Sequence, residues 1–95
     1  MEEMTHTRAV AILRAANPRH DVSVLHLYAA AFLIYREGSE NVTKSGAVVA
    51  NPRTGEAMPN PYLPIIDKQR AAMLKLADAR RPSALKTAAL WEQKQ

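Results

Sequence analysis

The chain has 95 residues, no cysteine, 47% hydrophobic residues and a formal net charge of +4. This length gives one domain or part of one, and the lack of cysteine excludes disulfides and thiolate–metal sites as sources of stability. A chain so short buries only about 60–65% of its unfolded surface, so self-association is the expected way to bury more.

The acidic start, Met1-Glu2-Glu3-Met4, lacks a basic region followed by an apolar stretch, which argues against a secretory signal. Ala9, Val10, Ile12, Leu13 and Ala16 recur at helical spacing, with Arg8 and Arg14 facing elsewhere. Asn17-Pro18 ends this short first helix, because the residue before proline is pushed out of the α region.

Asp21 is the predicted N-cap of a longer second helix. Val24, Leu25, Tyr28, Ala31, Phe32 and Tyr35 form one apolar stripe, and Leu27, Ala30, Leu33 and Ile34 make the helix apolar on nearly every side. Such a helix must be enclosed, and the expectation is that a second copy encloses it. The apolar run Val22–Tyr35 spans 14 residues and is interrupted by Ser23 and His26, short of the roughly 20 that cross a bilayer. The expected protein is soluble and cytoplasmic, with no membrane contact. Gly38 and Ser39 weaken the helix, which either kinks there or continues to about Lys44.

Gly46-Ala47-Val48-Val49-Ala50, then Asn51-Pro52-Arg53-Thr54-Gly55, then Glu56-Ala57-Met58 predict a short β-hairpin. Pro52 suits position i+1 of a type I turn, and Gly55 supplies the positive φ needed to leave it. Asn60 then caps a third helix with Pro61 in its first turn. Ile66, Met73 and Ala77 share one stripe of that helix, with Ile65, Ala72 and Leu76 beside it. It should pack antiparallel to the second helix until Pro82 breaks it. Ser83–Gln93 can form a fourth, exposed helix. The fold class is therefore mainly α: an antiparallel helical hairpin with a short β-hairpin between its long helices, plus short N- and C-terminal helices. The expected organisation is a short helix and linker over 1–20, a helical-hairpin core over 21–81 with the β-hairpin at about 46–59, and a basic tail over 82–95.

Charge is placed unevenly. Residues 1–46 balance five basic groups with five acids, whereas 68–95 hold seven basic groups against Asp78 and Glu92. A basic tail suits a polyanionic partner, although dispersed charges of this kind equally describe a solvated helix face. Signs of chemistry are missing. There is no nucleophile elbow, Walker loop, dinucleotide fingerprint or zinc spacing. His6, His20 and His26 lack metal-ligand spacing, with His26 expected at the edge of the core. Asp67 and Asp78 are eleven residues apart on one helix, too far to act as an acid–base pair. No catalytic residue, metal site or cofactor is expected.

One pattern is more specific. A long helix leads into Gly46-Ala47-Val48-Val49 and a short turn. Asn60-Pro61 follows, then a helix reading Ile65-Ile66-Asp67-Lys68-Gln69-Arg70-Ala71-Ala72-Met73-Leu74-Lys75-Leu76-Ala77, and then Arg81-Pro82-Ser83-Ala84. The order and spacing of these elements, from about Asp21 to Lys86, resemble the P27 family of bacteriophage terminase small subunits. Tyr28 and Tyr35 fall where that family's first long helix tends to place aromatics. Two features depart from its pattern. Arg80-Arg81 and Leu85-Lys86 replace the residues around the family's Pro-Ser turn, and the stretch before the first long helix is short. Both weaken the case for site-specific DNA recognition. They suit a packager of relaxed specificity, such as a prophage or gene-transfer-agent version.

The resemblance implies a non-enzymatic, ring-like homo-oligomer that brings double-stranded DNA to a large terminase subunit and modulates its ATPase and nuclease. Oligomerisation would fall to Leu25, Tyr28, Phe32, Tyr35, Ile66, Met73 and Leu76, for which an ordinary intrachain core is an equal reading. DNA contact would fall to Arg80, Arg81 and Lys86, with Arg8 and Arg14 as second choices. Phosphate contacts alone make such binding weak and salt-sensitive, and a ring would compensate by avidity. Two alternatives stand beside this. One is a small helical protein-interaction module, a regulator or inhibitor without DNA binding. The other is a helix-turn-helix regulator, disfavoured because the second helix is too apolar to face base edges.

Overall fold

A computed structural model describes residues 4–78 and 84–93. Its element order is α1 (His6–Ala16), α2 (Val22–Ser45), β1 (Val48–Ala50), β2 (Ala57–Pro59), α3 (Tyr62–Leu76) and α4 (Ala88–Trp91). The mainly α class and the β-hairpin between two long helices agree with the sequence pattern.

Capping side chains set the starts of the first two helices. Thr5 Oγ1 accepts the Arg8 backbone N–H at 3.1 Å, and Asp21 Oδ1 accepts the Ser23 N–H at 3.0 Å and its hydroxyl at 2.9 Å. These two bonds hold the Asp21 carboxyl below the usual carboxylate range, the backbone bond being the larger cause. α2 then runs unbroken through Gly38 and Ser39 and stops at Gly46, whose φ of 87° favours glycine.

α2 continues through Gly38 because tertiary packing overrides its poor helix propensity. A Cβ built on this buried glycine would lie 2.8 Å from Ile66 Cγ1 and 3.3 Å from Tyr62 Cδ1. The missing side chain is what lets α2 and α3 approach so closely. The start of α3 meets Gly38, late in α2, while Met73 and Ala77 at its far end share a groove with Tyr28 and Tyr35. The two helices are therefore antiparallel, as the sequence predicted.

The hairpin between them pairs Val48 with Pro59, Val49 with Met58 and Ala50 with Ala57. Asn51 N–H donates to Glu56 O at 2.7 Å, and Asn60 N–H donates to Ala47 O at 2.8 Å. In this register Pro59 sits at a position facing the open edge, where its missing N–H costs no ladder bond. Gly55, with φ of 75°, donates its N–H to Asn51 O at 2.7 Å and closes the loop.

Asn60 starts α3. It is 1% exposed, and its Oδ1 accepts the Tyr62 N–H at 2.9 Å. Its Nδ2 donates to Gly46 O and to Asn41 Oδ1, each at 2.9 Å. The expected cap is thus also a buried tie to the end of α2. α3 ends at Leu76, before the expected break at Pro82. Asp78, an acid at a helix C-terminus, opposes the helix dipole there. The predicted breaker Pro82 lies outside the described residues.

The C-terminal segment corrects the sequence reading. The exposed helix expected over 83–93 is not what its described residues form: only Ala88–Trp91 is helical, and Leu85 and Leu90 are buried in the core. Lys86 gives its N–H to Asn17 Oδ1 at 2.7 Å, and its carbonyl accepts Asn17 Nδ2 at 2.8 Å. With both backbone groups engaged, no helix can pass through it. Trp91 lies edge-on to Phe32, with centroids 4.7 Å apart, and donates its Nε1 proton to the Tyr28 hydroxyl at 2.9 Å. Arg36 sits 5.5 Å from the Phe32 ring centroid. The chain therefore encloses more of α2 than the sequence suggested. Leu25, Tyr28, Ala29, Ala31 and Phe32 are buried within it, and Leu27 and Ile34 stay 59% and 40% exposed.

This packing makes two substitutions informative. Gly38→Ala gains about 1 kcal/mol of helix propensity but overpacks a helix crossing, which costs about 1–3 kcal/mol. Ile66 Cγ1 is near its backbone and cannot swing aside, so urea unfolding should show a net loss of roughly 1 kcal/mol. Because the folded state depresses the Asp21 pKa, its contribution is complete above the ordinary aspartate range. It is lost as pH falls through the lowered value. Asp21→Asn should keep the cap and flatten that acid-side dependence in thermal melts at successive pH values.

Candidate nucleic-acid interface

The Asn17 amide organises one basic corner of the molecule. It is 3% exposed, and besides its two bonds to Lys86 its Nδ2 donates to Leu13 O at 2.8 Å. Its backbone N–H donates to the carbonyls of Leu13 and Arg14. Arg14 lies in the last turn of α1, Arg19 follows two residues after the amide, and Lys86 is bonded to it across the fold. All three are exposed. Three cations therefore start from backbone within about one turn of a buried, fully bonded amide. The neighbouring acid is Asp21, already engaged by Ser23. A hollow of about 360 Å³ lined by Arg19, His20, Asp21 and Val24 adjoins the corner.

Of the residues predicted to contact DNA, Arg14 and Lys86 are brought together here. Arg80 and Arg81 lie outside the described residues. Arg8 is half-buried, and its Nη2 donates to Gln93 Oε1 at 3.3 Å, so it helps dock the C-terminal segment. Arg19 was counted only as charge in the sequence. Its link to Lys86 runs through Asn17, two residues before it, by a contact 69 residues apart along the chain, which no local pattern signals.

Of the seven residues predicted for oligomerisation, six sit within or against the chain's own core, and Ile66 packs at Gly38. Leu25, Tyr28, Phe32 and Met73 are buried, and Tyr35, Ile66 and Leu76 are half-buried. His6 and His26 join α1 to α2: Nε2 of the first lies 2.8 Å from Nδ1 of the second. The ring centroids are 5.0 Å apart with the planes 27° from parallel, and one imidazole donates to the other according to the tautomer. His26 is exposed rather than at the core edge. Among the described residues no three His, Asp or Glu side chains cluster as a metal site, and no helix is long and apolar enough to cross a membrane.

The helical hairpin, its β-hairpin and the Asn60 start of α3 all lie in the part of the chain that a family model matches. That model, "Phage terminase, small subunit", covers residues 5–79. The chain belongs to this family. No curated protein and no solved structure matches it. Terminase small subunits serve viral DNA packaging, in general as non-catalytic, DNA-binding and regulatory subunits. The match spans α1 to α3 and stops before the docked segment that carries Lys86, so the basic corner joins a terminase element to a part of this chain beyond the match.

Asn17→Ala tests that joint. It removes the partner of the Lys86 backbone N–H and C=O, while Leu13 O keeps the Asn17 backbone N–H, a loss of about 1–3 kcal/mol. It should also red-shift the emission of Trp91, the one tryptophan in the chain, as the segment loosens. An unchanged spectrum would mean that Leu85 and Leu90 hold the segment without the amide.

Proposed function

We propose that this chain is the small terminase subunit of a P27-type packaging system in its bacterial host's cytoplasm. It acts as a non-enzymatic homo-oligomeric adaptor that holds double-stranded DNA weakly and recruits or regulates a large terminase subunit. The observation that carries the reading is the pairing of the family match over α1–α3 with the Asn17-built corner of Arg14, Arg19 and Lys86. The exposed cations lie on a buried anchor, and no aromatic or amide side chain among the named site residues is offered for base readout. This supports sequence-independent phosphate contact. Arg80 and Arg81 extend the same basic tract in sequence, and Arg8 adds charge from behind Gln93. Relaxed recognition of this kind suits a prophage or gene-transfer-agent packager.

The hairpin core supports the oligomer. Leu25, Tyr28, Phe32, Tyr35, Ile66, Met73 and Leu76 stiffen the α2–α3 pair, and the large apolar side chains left outside it await a second copy. Binding per subunit is small, so the assembly supplies the affinity.

The test is retardation of a 30-base-pair duplex across a salt series. Arg14→Ala/Arg19→Ala/Lys86→Ala should weaken binding and lower the salt slope by roughly one for each phosphate no longer neutralised. Adding Arg80→Ala/Arg81→Ala should lower it further. A wild-type chain that forms a defined dimer and never retards DNA, even at low salt, would instead support the interaction-module reading.

A further inference from the structure

The exposed apolar surface of the α2–α3 hairpin divides into a groove and a ridge. The groove, about 390 Å³, is lined by Tyr28, Tyr35, Arg70, Leu74 and Trp91 among others. Leu74 is 68% and Trp91 46% exposed. Tyrosine, tryptophan and arginine in one concavity are the residue types that dominate protein–protein hot spots. The ridge is Leu27 and Ile34 on α2, with exposed Glu37 one turn beyond. The other exposed large hydrophobics among the described residues are Val22, Val48 and Ile65, and none of these makes an i, i+7 pair on a helix. Leu27 and Ile34 alone do.

Groove and ridge match in spacing and charge. Tyr28 and Tyr35 stand seven residues apart, as do Leu27 and Ile34, or about 10 Å along a helix. One residue of offset turns the ridge about 100° around α2 from the tyrosines. Gly38, where α2 meets α3, falls between these directions, so the two surfaces flank α3 on opposite sides. Arg70 lies at the Tyr35 end of the groove and Glu37 at the Ile34 end of the ridge. Among the described residues Arg70 pairs with the exposed Asp67, at 3.3 Å, a weak partner that is readily exchanged.

We propose that the ridge of one copy, Leu27 and Ile34 with Glu37, seats in the groove of the next, against Tyr35, Leu74, Trp91 and Arg70. This rests on the homo-oligomer reading above and gives it a specific contact. The charges sit at matching ends, so neighbouring α2 helices run parallel. The contact is heterologous, because each copy uses two different surfaces, and repetition therefore builds a closed ring or an open filament rather than a two-fold dimer.

The test uses Leu27→Glu, which damages the ridge, and Leu74→Glu, which damages the groove. Both positions are exposed, and unchanged circular dichroism would confirm folding. Leu27→Ala and Leu74→Ala serve as milder versions. In size exclusion with light scattering, the wild type should be an assembly, and each variant alone should assemble roughly 30-fold more weakly, as when one hot-spot residue is removed. A one-to-one mixture of the two glutamate variants should form a heterodimer, since one intact ridge then meets one intact groove, with a shift in Trp91 emission. If the wild type assembles and the variants keep its mass, this contact is wrong while the oligomer stands. Variants that dissociate without forming the heterodimer also overturn it. A wild type that stays monomeric at every concentration overturns both readings.

Discussion

The fold depends on one buried amide, Asn60. The chain must leave a 24-residue helix, turn through a hairpin and re-enter a second helix alongside the first. At that point several backbone groups would be buried without partners. Asn60 bonds the Gly46 carbonyl that ends α2, the Asn41 side chain one turn earlier and the Tyr62 N–H that opens α3. Its own N–H closes the base of the β-hairpin on Ala47. A residue this buried is tolerated because its amide is fully bonded, and those bonds set the angle of reversal. The close approach at Gly38 follows from that reversal, and with it the exposed flanks of the α2–α3 pair.

Asn17 repeats the device at the other end of the molecule. There the amide ends α1 and captures Lys86 by both backbone groups. The two amides divide the work. Asn60 builds the helical hairpin, and Asn17, close in sequence to Arg14 and Arg19, fastens the C-terminal segment through Lys86. The hydrophobic core lies between them, with Phe32, Leu13, Leu25 and Leu90 fully buried.

What could be read from the sequence was local. Helical periodicity located α1, α2 and α3, Asp21 and Asn60 marked helix starts, and Gly55 marked a position of positive φ. The β-hairpin and the antiparallel helix pair follow from short connections. What stayed hidden was tertiary. Hydrophobicity at Leu25, Tyr28 and Phe32 reports that these side chains are buried, not whether the same chain or a neighbour buries them. The all-round apolar character of α2 did not reveal that Leu27 and Ile34 are the side chains left outside. Asn17 reads as a helix stop before proline, and its partner Lys86 is far along the chain. For the same reason the C-terminal segment looked like an exposed helix, because its pattern does not show that Lys86 has given up its backbone bonds. Arg80 and Arg81, the strongest DNA candidates in the sequence, lie outside the described residues.

In the proposed function, DNA binding belongs to the assembly rather than to one chain. The Asn17 corner of each copy gathers three exposed cations, and the proposed contact would join copies through the flanks of the hairpin. Native mass spectrometry of the wild-type chain with a 30-base-pair duplex at low ionic strength tests this directly. The expected result is duplex carried by whole assemblies, with no series of single chains bound to DNA. One chain per duplex, adding stepwise and independently, would contradict it.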